Sequence, residues 1–358
     1  MENLLIQSEN VRALNFLLDE RGLRGKVDLV YIDPPFATND SFTVSEGRNS
    51  TISREKGGTV AYSDKLTGAD FVEFLRERML LLHELLSEQG SIYVHTDYKI
   101  GHYVKVMMDE VFGMERFRND ITRVKCNPKN FKRVGYGNIK DMILFYSKGE
   151  KPVWNEPYEA YSDEELARLY PKADADGRRY TTVPIHAPGE TMNAKPFRGM
   201  MPPKGRHWRT DVETLEKWDE AGMIEWSATG NPRKKIYADE REGKRMQDIW
   251  TGWKDPQYPR YPTEKNAGML DMIVRTSSNA GGIVLDCFCG SGTTLLAAAK
   301  NHRRWIGIDQ SPVAIAAAKE KLGRGGSGFF SDVEILQLPT EKAVRHTYSK
   351  IHKTIKLC

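Results

Sequence analysis

The chain has 358 residues, 39% of them hydrophobic and 28% charged, with a net charge of +4. That is enough for a large core in one big domain with an insertion, or in two domains, and the mild basicity is too small to name a nucleic-acid partner by itself. No apolar run approaches bilayer length, the start Met-Glu-Asn-Leu-Leu has no basic or cleavage signal, and the four cysteines form no Cys-x-x-Cys pair. A cytoplasmic, reducing location follows, with no membrane contact and no metal. Cys287 and Cys289 are read as small packing residues.

In chain order, a short apolar strand at residues 4–6 leads through Ser8-Glu9-Asn10 into a helix over about 10–20. Val11, Leu14, Leu17 and Leu18 fall on one face of it. Residues 27–32, Val-Asp-Leu-Val-Tyr-Ile, read as a buried strand, so the unit is β-α-β and the sheet parallel. Asp33-Pro34-Pro35-Phe36 ends that strand, because neither proline can donate a ladder hydrogen bond. Ligands of open parallel sheets sit beyond the carboxyl ends of strands. There Asp33 and a proline carbonyl can accept both hydrogens of a ring amino group while Phe36 stacks on the ring.

Residues 37–68 form a long polar stretch in which Arg48, Arg54 and Lys56 are candidates for phosphate contact, with a plain solvated loop as the alternative. A helix over 71–86 follows, closed by Gly90, then a strand over 91–95. His95 and Asp97 stand at its end, where a histidine more often satisfies local hydrogen bonds than performs chemistry. A helix over 100–112 and a strand over 143–146 complete this half. From 151 to 245 apolar periodicity fades. Lys195, Arg198, Lys204, Arg206 and Arg209 cluster without an acid, interleaved with Phe197 and Trp208, and Arg233, Lys234 and Lys235 follow. Cations among aromatics suit phosphate contact plus base stacking; an ordinary solvated face is the alternative.

Residues 282–309 read strand, glycine turn, helix, strand, acid. Gly290 and Gly292 allow a tight turn and close ligand approach, and Asp309 suits ribose hydroxyls. Leu295 falls where a dinucleotide fingerprint needs a third glycine, and no Walker A pattern is present. Asp286 would repel a pyrophosphate but hold an α-ammonium group, which favours S-adenosylmethionine over NAD.

Taken together, these segments resemble the β-class amino-methyltransferases of DNA, especially the adenine-N6 enzymes of restriction–modification systems, type III modification subunits included. Asp33-Pro34-Pro35-Phe36 is similar to the family's catalytic motif, and the segment from Asp286 to Thr294 to its cofactor motif. Tyr261-Pro262-Thr263-Glu264-Lys265 is similar to the stretch that precedes the cofactor strand, and Arg206-His207-Trp208-Arg209 and Asp248-Ile249-Trp250 to stretches of type III members. The order, catalytic motif first and cofactor motif last, is the β arrangement. Phe36 replaces the more usual Tyr, Cys287 the usual Pro, and Ser8-Glu9-Asn10 a common Gly-Asp-Asn.

The resemblance implies an α/β, Rossmann-like S-adenosylmethionine-dependent methyltransferase fold. Its sheet is mainly parallel, its motif order circularly permuted, and a target-recognition region is inserted. The divisions are 1–150 (catalytic half), 151–245 (target recognition), 246–340 (cofactor half) and 341–358 (basic tail). Implied catalytic residues are Asp33, Pro34, Pro35 and Phe36, and implied cofactor contacts are Glu9, Thr263, Lys265, Asp286, Phe288, Gly290, Ser291, Gly292, Thr293 and Asp309; the acid-free cluster of cations and aromatics supplies the candidate DNA contacts Lys195, Arg198, Lys204, Arg206, Trp208 and Arg209. The implied partners are double-stranded DNA, a second copy of the chain and a cognate restriction endonuclease. The leading Asp33 points to adenine, since cytosine-N4 members usually begin the motif with Ser. Cytosine-N4 methylation and a catalytically silent DNA-binding module stay open as alternatives.

Overall fold

A computed structural model describes residues 2–34, 68–128, 132, 134–189, 195–256, 265–324 and 333–338, and the backbone of strands Ser41–Val44 and Thr59–Ser63. Pro35, Phe36, Thr263 and the basic tail lie outside the described residues, as do Arg48, Arg54 and Lys56.

The chain divides into two compact units, and the larger consists of 1–156 with 247–358. Its first half runs β1 (Asn3–Gln7), α1 (Asn10–Asp19), β2 (Val27–Ile32), α2 (Ala69–Leu85), β3 (Leu86–Thr96), α3 (Gly101–Phe112), β4 (Phe117–Val124) and β5 (Lys140–Ser147). Its second half runs β6 (Ile249–Trp250), α4 (Ala267–Ser277), β7 (Ile283–Asp286), α5 (Thr293–Lys300), β8 (Arg304–Asp309), α6 (Pro312–Arg324) and β9 (Val333–Gln337). These strands form one nine-stranded sheet, ordered β6-β4-β5-β3-β2-β7-β8-β1-β9. Neighbours are parallel except around β5, which is antiparallel to β3 and β4.

The alternation along β2 explains why both faces are covered. Val30 and Ile32 pack with Leu14, Leu75, Val94 and Met107 of α1, α2, β3 and α3. Leu29 and Tyr31 point to the opposite face by the period of two, and are equally buried. On that opposite face α5 sits close to β8: Leu295 lies where a side chain at Gly307 would have to go. Helices thus layer both sides of the sheet, which is why its central strands read as continuous apolar runs.

Gly90 lies inside β3 and does not close the preceding helix. The helix ends because Leu86 already adopts extended angles (φ −62°, ψ 138°). Strand β4 escapes sequence pattern because Arg118, Asp120 and Arg123 interrupt it, although Arg123 is fully buried. Its guanidinium is satisfied by Trp253 O (2.9 Å), Asp141 Oδ2 (3.4 Å) and the Asp255 carboxylate.

The second unit is Pro157–Met246. A four-stranded antiparallel sheet orders Ile224–Trp226, Pro232–Tyr237, Arg179–Pro184 and Lys172–Ala173, and the hairpin strands His186–Pro188 and Arg206–Trp208 pair separately. Helix Asp163–Leu169 begins in a reciprocal capping box between Ser162 and Glu165, and helix Val212–Glu220 is capped by Asp211. Ile185, Phe197, Trp208, Leu215 and Ile224 form the apolar centre of this unit.

Candidate active site

Sheet order brings together acids that are far apart in sequence. β2 pairs with β7, β7 with β8, and β8 with β1. Asp33, Asp286, Asp309 and Glu9 therefore end or follow four consecutive neighbouring strands, all on the carboxyl edge of the sheet. Strand ends in a parallel sheet expose backbone groups and side chains that no ladder uses, so a ligand can reach them.

Asp33 directly follows β2. Its Oδ2 lies 2.9 Å from Lys265 Nζ, and both side chains are largely buried (16% and 9% exposed). Its Oδ1 is buried with no partner among the described residues. Lys265, implied by the resemblance as a cofactor contact, is placed on the carboxylate of the catalytic motif.

The turn after β7 is built as the glycines suggest. Gly290 (φ 48°) and Gly292 (φ 76°) are both left-handed, and Gly292 opens α5 against Ala318 of α6. Asp286 is 3% exposed and its Oδ1 accepts from Phe288 N at 3.0 Å. Burial, with the charges of Asp33 and Asp309 nearby, pushes its carboxyl up to about 7, against the bonds from Thr294 and Phe288. Burial likewise raises Asp309, whose oxygens accept from Gly290 N (3.0 Å) and Ser311 N (2.8 Å), tying the turn to the start of α6. Three clustered carboxyl groups favour a cationic ligand and disfavour a pyrophosphate. A sulfonium nucleoside bearing an α-ammonium group fits this set.

Other expected contacts are already engaged within the protein. Glu9 caps α1 by accepting from Arg12 N (3.2 Å) and pairs with Arg78. Arg78 escapes a reading of the sequence: it is only 4% exposed on α2, bonds Asn10 (3.3 Å), and lies 3.4 Å from the centre of the Phe74 ring. The signal for it is a cation among the apolar positions of that helix. Asn10 in turn donates to the Cys287 carbonyl, joining the β1 end to the β7 end. Ser291 and Thr293 each accept from Lys321 Nζ at 2.7 Å, and Phe288 packs its ring against Phe74. Cys287 and Cys289 are buried packing residues.

His95 is a core residue. It is 0% exposed, with Nδ1 at 2.9 Å from Tyr31 Oη and Nε2 at 3.1 Å from Asp141 Oδ2. Burial and the Lys265 charge keep it below the ordinary histidine range, although Asp141 opposes them. Burial would raise Asp141, but its bond from His95 and the charges of Lys265 and Lys125 outweigh that and hold it well below the usual range. Asp97 accepts from Lys99 N (2.9 Å) and Ile100 N (3.1 Å), which fixes the entry to α3.

In the second unit Lys195, Arg198, Lys204, Arg206 and Arg209 are exposed. Arg198 pairs with Asp219 at 2.8 Å, and Arg209 donates to His186 O. Trp208 departs from its expected role: it is 9% exposed, and its indole N–H donates to Lys195 O at 3.0 Å. Phe197 is fully buried, edge-on to Trp208. Both rings are core, because a small unit needs its large side chains to bury apolar area. Lys234 lies 3.5 Å from the centre of the Trp218 ring, and Arg233 bonds Thr182.

Among the described residues, no helix is long and apolar enough to cross a membrane. The chain is 41% identical to the Type II methyltransferase M.EcaI of Enterobacter cloacae, over 97% of this chain and 77% of that one. It is 36% identical to the Type II methyltransferase M2.DpnII of Streptococcus pneumoniae, over 89% of each. It is 24% identical to the type III restriction-modification enzyme StyLTI Mod subunit of Salmonella typhimurium, over 82% of this chain and 49% of that one. The chain thus spans about half the length of that Mod subunit. Residues 27–320, from β2 through most of α6, match the N6/N4 family model described as DNA methylase, and the chain belongs to that family of S-adenosylmethionine-dependent DNA methyltransferases.

Proposed function

We propose that the protein methylates the exocyclic N6 of adenine in double-stranded DNA, as the modification enzyme of a restriction–modification system. The observation that carries this reading is Asp33: a carboxylate at the end of β2, one strand from Asp286, with one oxygen buried and unpartnered among the described residues. Asp at the head of the motif supports adenine, by resemblance to the adenine-N6 members. The names of M.EcaI and the StyLTI Mod subunit support a modification role.

An amino group inside a duplex is out of reach, so the target base must turn out of the stack, at a cost of a few kcal/mol. Phe36 is assigned to stack on the extruded ring, which is worth about 1–3 kcal/mol. Asp33 and the Pro34 carbonyl accept the two amine hydrogens. Those bonds draw the nitrogen toward a tetrahedral shape and free the lone pair that is otherwise delocalised into the ring. When bound, S-adenosylmethionine supplies a methyl group on a positively charged sulfur. Transfer would then join that methyl to the nitrogen lone pair and leave the S–C electron pair with the sulfur, while Asp33 and Pro34 hold the amine and its surplus proton passes to water. Asp286 is assigned to the cofactor's ammonium group and Asp309 to its ribose hydroxyls. Positioning and electrostatics carry the rate, without a covalent enzyme intermediate. The exposed cations Lys195, Lys204, Arg206 and Arg209 are assigned to the DNA backbone.

Incubation with S-adenosylmethionine labelled in its methyl group and unmethylated genomic DNA, then digestion and nucleoside chromatography, tests this reading. Label in N6-methyladenine is expected. Label in N4-methylcytosine would overturn the choice of base, and no label would overturn the activity.

A further inference from the structure

Lys265 has two candidate roles. By resemblance it touches the cofactor; in the structure its ammonium lies 2.9 Å from Asp33 Oδ2. The terminal torsion of an aspartate is broad and roughly two-fold, so a carboxylate at a strand end has no preferred facing of its own. A lysine that is 9% exposed, with its ammonium set against one of the two oxygens, removes that freedom. The other oxygen, Oδ1, is buried and unpartnered among the described residues. Acceptors in that condition are rare and call for a donor supplied from elsewhere. Both ring nitrogens of the neighbouring His95 are engaged, by Tyr31 and Asp141.

We propose that Lys265 is a positioning residue for methyl transfer: it holds Asp33 by Oδ2 and so presents Oδ1 to a hydrogen of the target amine. The two carboxylate oxygens have separate duties, one to the protein and one to the base. The inference rests on the assignment of Asp33 as amine acceptor, and it holds for adenine and for cytosine alike, since both carry an exocyclic amine. It also separates Lys265 from the cofactor contacts, so substitution acts on the transfer step and leaves the affinity for S-adenosylmethionine in place.

The test compares Lys265→Met, Lys265→Arg, Asp33→Asn and the double variant Lys265→Met/Asp33→Asn. Single-turnover methylation of duplex DNA is measured alongside the dissociation constant for S-adenosylmethionine and the KM for DNA. Lys265→Met should slow transfer by about 10–100-fold, with cofactor and DNA affinity within about threefold of wild type. Lys265→Arg should restore most of the rate, and the double variant should be no slower than Asp33→Asn alone, because the lysine acts on transfer through the carboxylate. If Lys265→Met does not fold, Lys265→Gln carries the same expected loss. Transfer at the wild-type rate in Lys265→Met, with Asp33→Asn inactive, would overturn the proposal and leave the Asp33 assignment standing. Cofactor affinity that falls in proportion to the rate would overturn it in favour of a cofactor contact. Full activity in Asp33→Asn would instead sink the assignment on which it rests.

Discussion

The carboxyl edge of the large sheet and the cation-rich segment of Pro157–Met246 carry equally plain sequence signals, yet the two fold into different relations with them. At the sheet edge, Asp33, Asp286 and Asp309 come to adjacent strand ends although the first two are separated by more than half of the chain. In the segment 195–209 the cations stand exposed, but the aromatics interleaved with them are buried. The difference has a physical source. A parallel sheet dictates where its strand ends lie, so a residue's place in the strand fixes its place in the site. A short, irregular unit imposes no such rule, and an aromatic there is claimed first by the core.

The largest effect that separates the two regions is expected at Trp208. Trp208→Ala should destabilise the second unit by about 3–5 kcal/mol, seen as an early thermal transition, because it empties the centre of that core. Unchanged melting with weakened DNA binding would return Trp208 to the interface and erase the contrast. The next effect sharpens the sheet-edge side. Asp286 is pushed up to about 7, so below that pH the cofactor-free site holds a proton that an ammonium ligand must displace. Cofactor affinity should weaken by up to about tenfold per pH unit below that point, with proton release visible as buffer-dependent binding enthalpy. The same shift has a stability consequence. The folded state keeps this proton where the unfolded chain has lost it, so Asp286 makes the cofactor-free fold less stable as pH rises from the ordinary carboxylate range to about 7. Asp286→Asn should abolish both pH effects.

Smaller still are the cations. Replacing Arg206 and Arg209 with Ala should lower DNA affinity and reduce the salt slope by about 0.9 for each phosphate no longer neutralised. Arg198→Ala should change DNA affinity less than either, because its guanidinium already pairs with Asp219 at 2.8 Å. Equal effects from all three would mean that the Asp219 pair opens on DNA and that the static charge pattern is a poor guide.

Legibility in the sequence follows the same line. The β-α-β start, the amphipathic helices and the Asp-Cys-Phe-Cys-Gly-Ser-Gly turn are readable because period and glycine angle are local properties. Strand β4 is not, since its burial of Arg123 depends on Asp141, Trp253 and Asp255 from distant segments. Arg78 and Lys321 stay hidden because a helix pattern shows that a cation faces inward but not which acid or hydroxyl waits there. The motif around Lys265 places it near the site, but its partner Asp33 emerges only once β2 and the start of α4 are in space.

The proposed division of labour along one sheet edge gives the β2 carboxylate to the base and the β7 carboxylate to the cofactor. Calorimetric titration of S-adenosylmethionine into Asp33→Asn and Asp286→Asn, side by side at pH 8, tests it most directly. Asp33→Asn should bind with near wild-type affinity, whereas Asp286→Asn should bind at least about tenfold more weakly, the loss expected for a charge-assisted contact. Equal loss in both variants, or a loss confined to Asp33→Asn, would contradict the division.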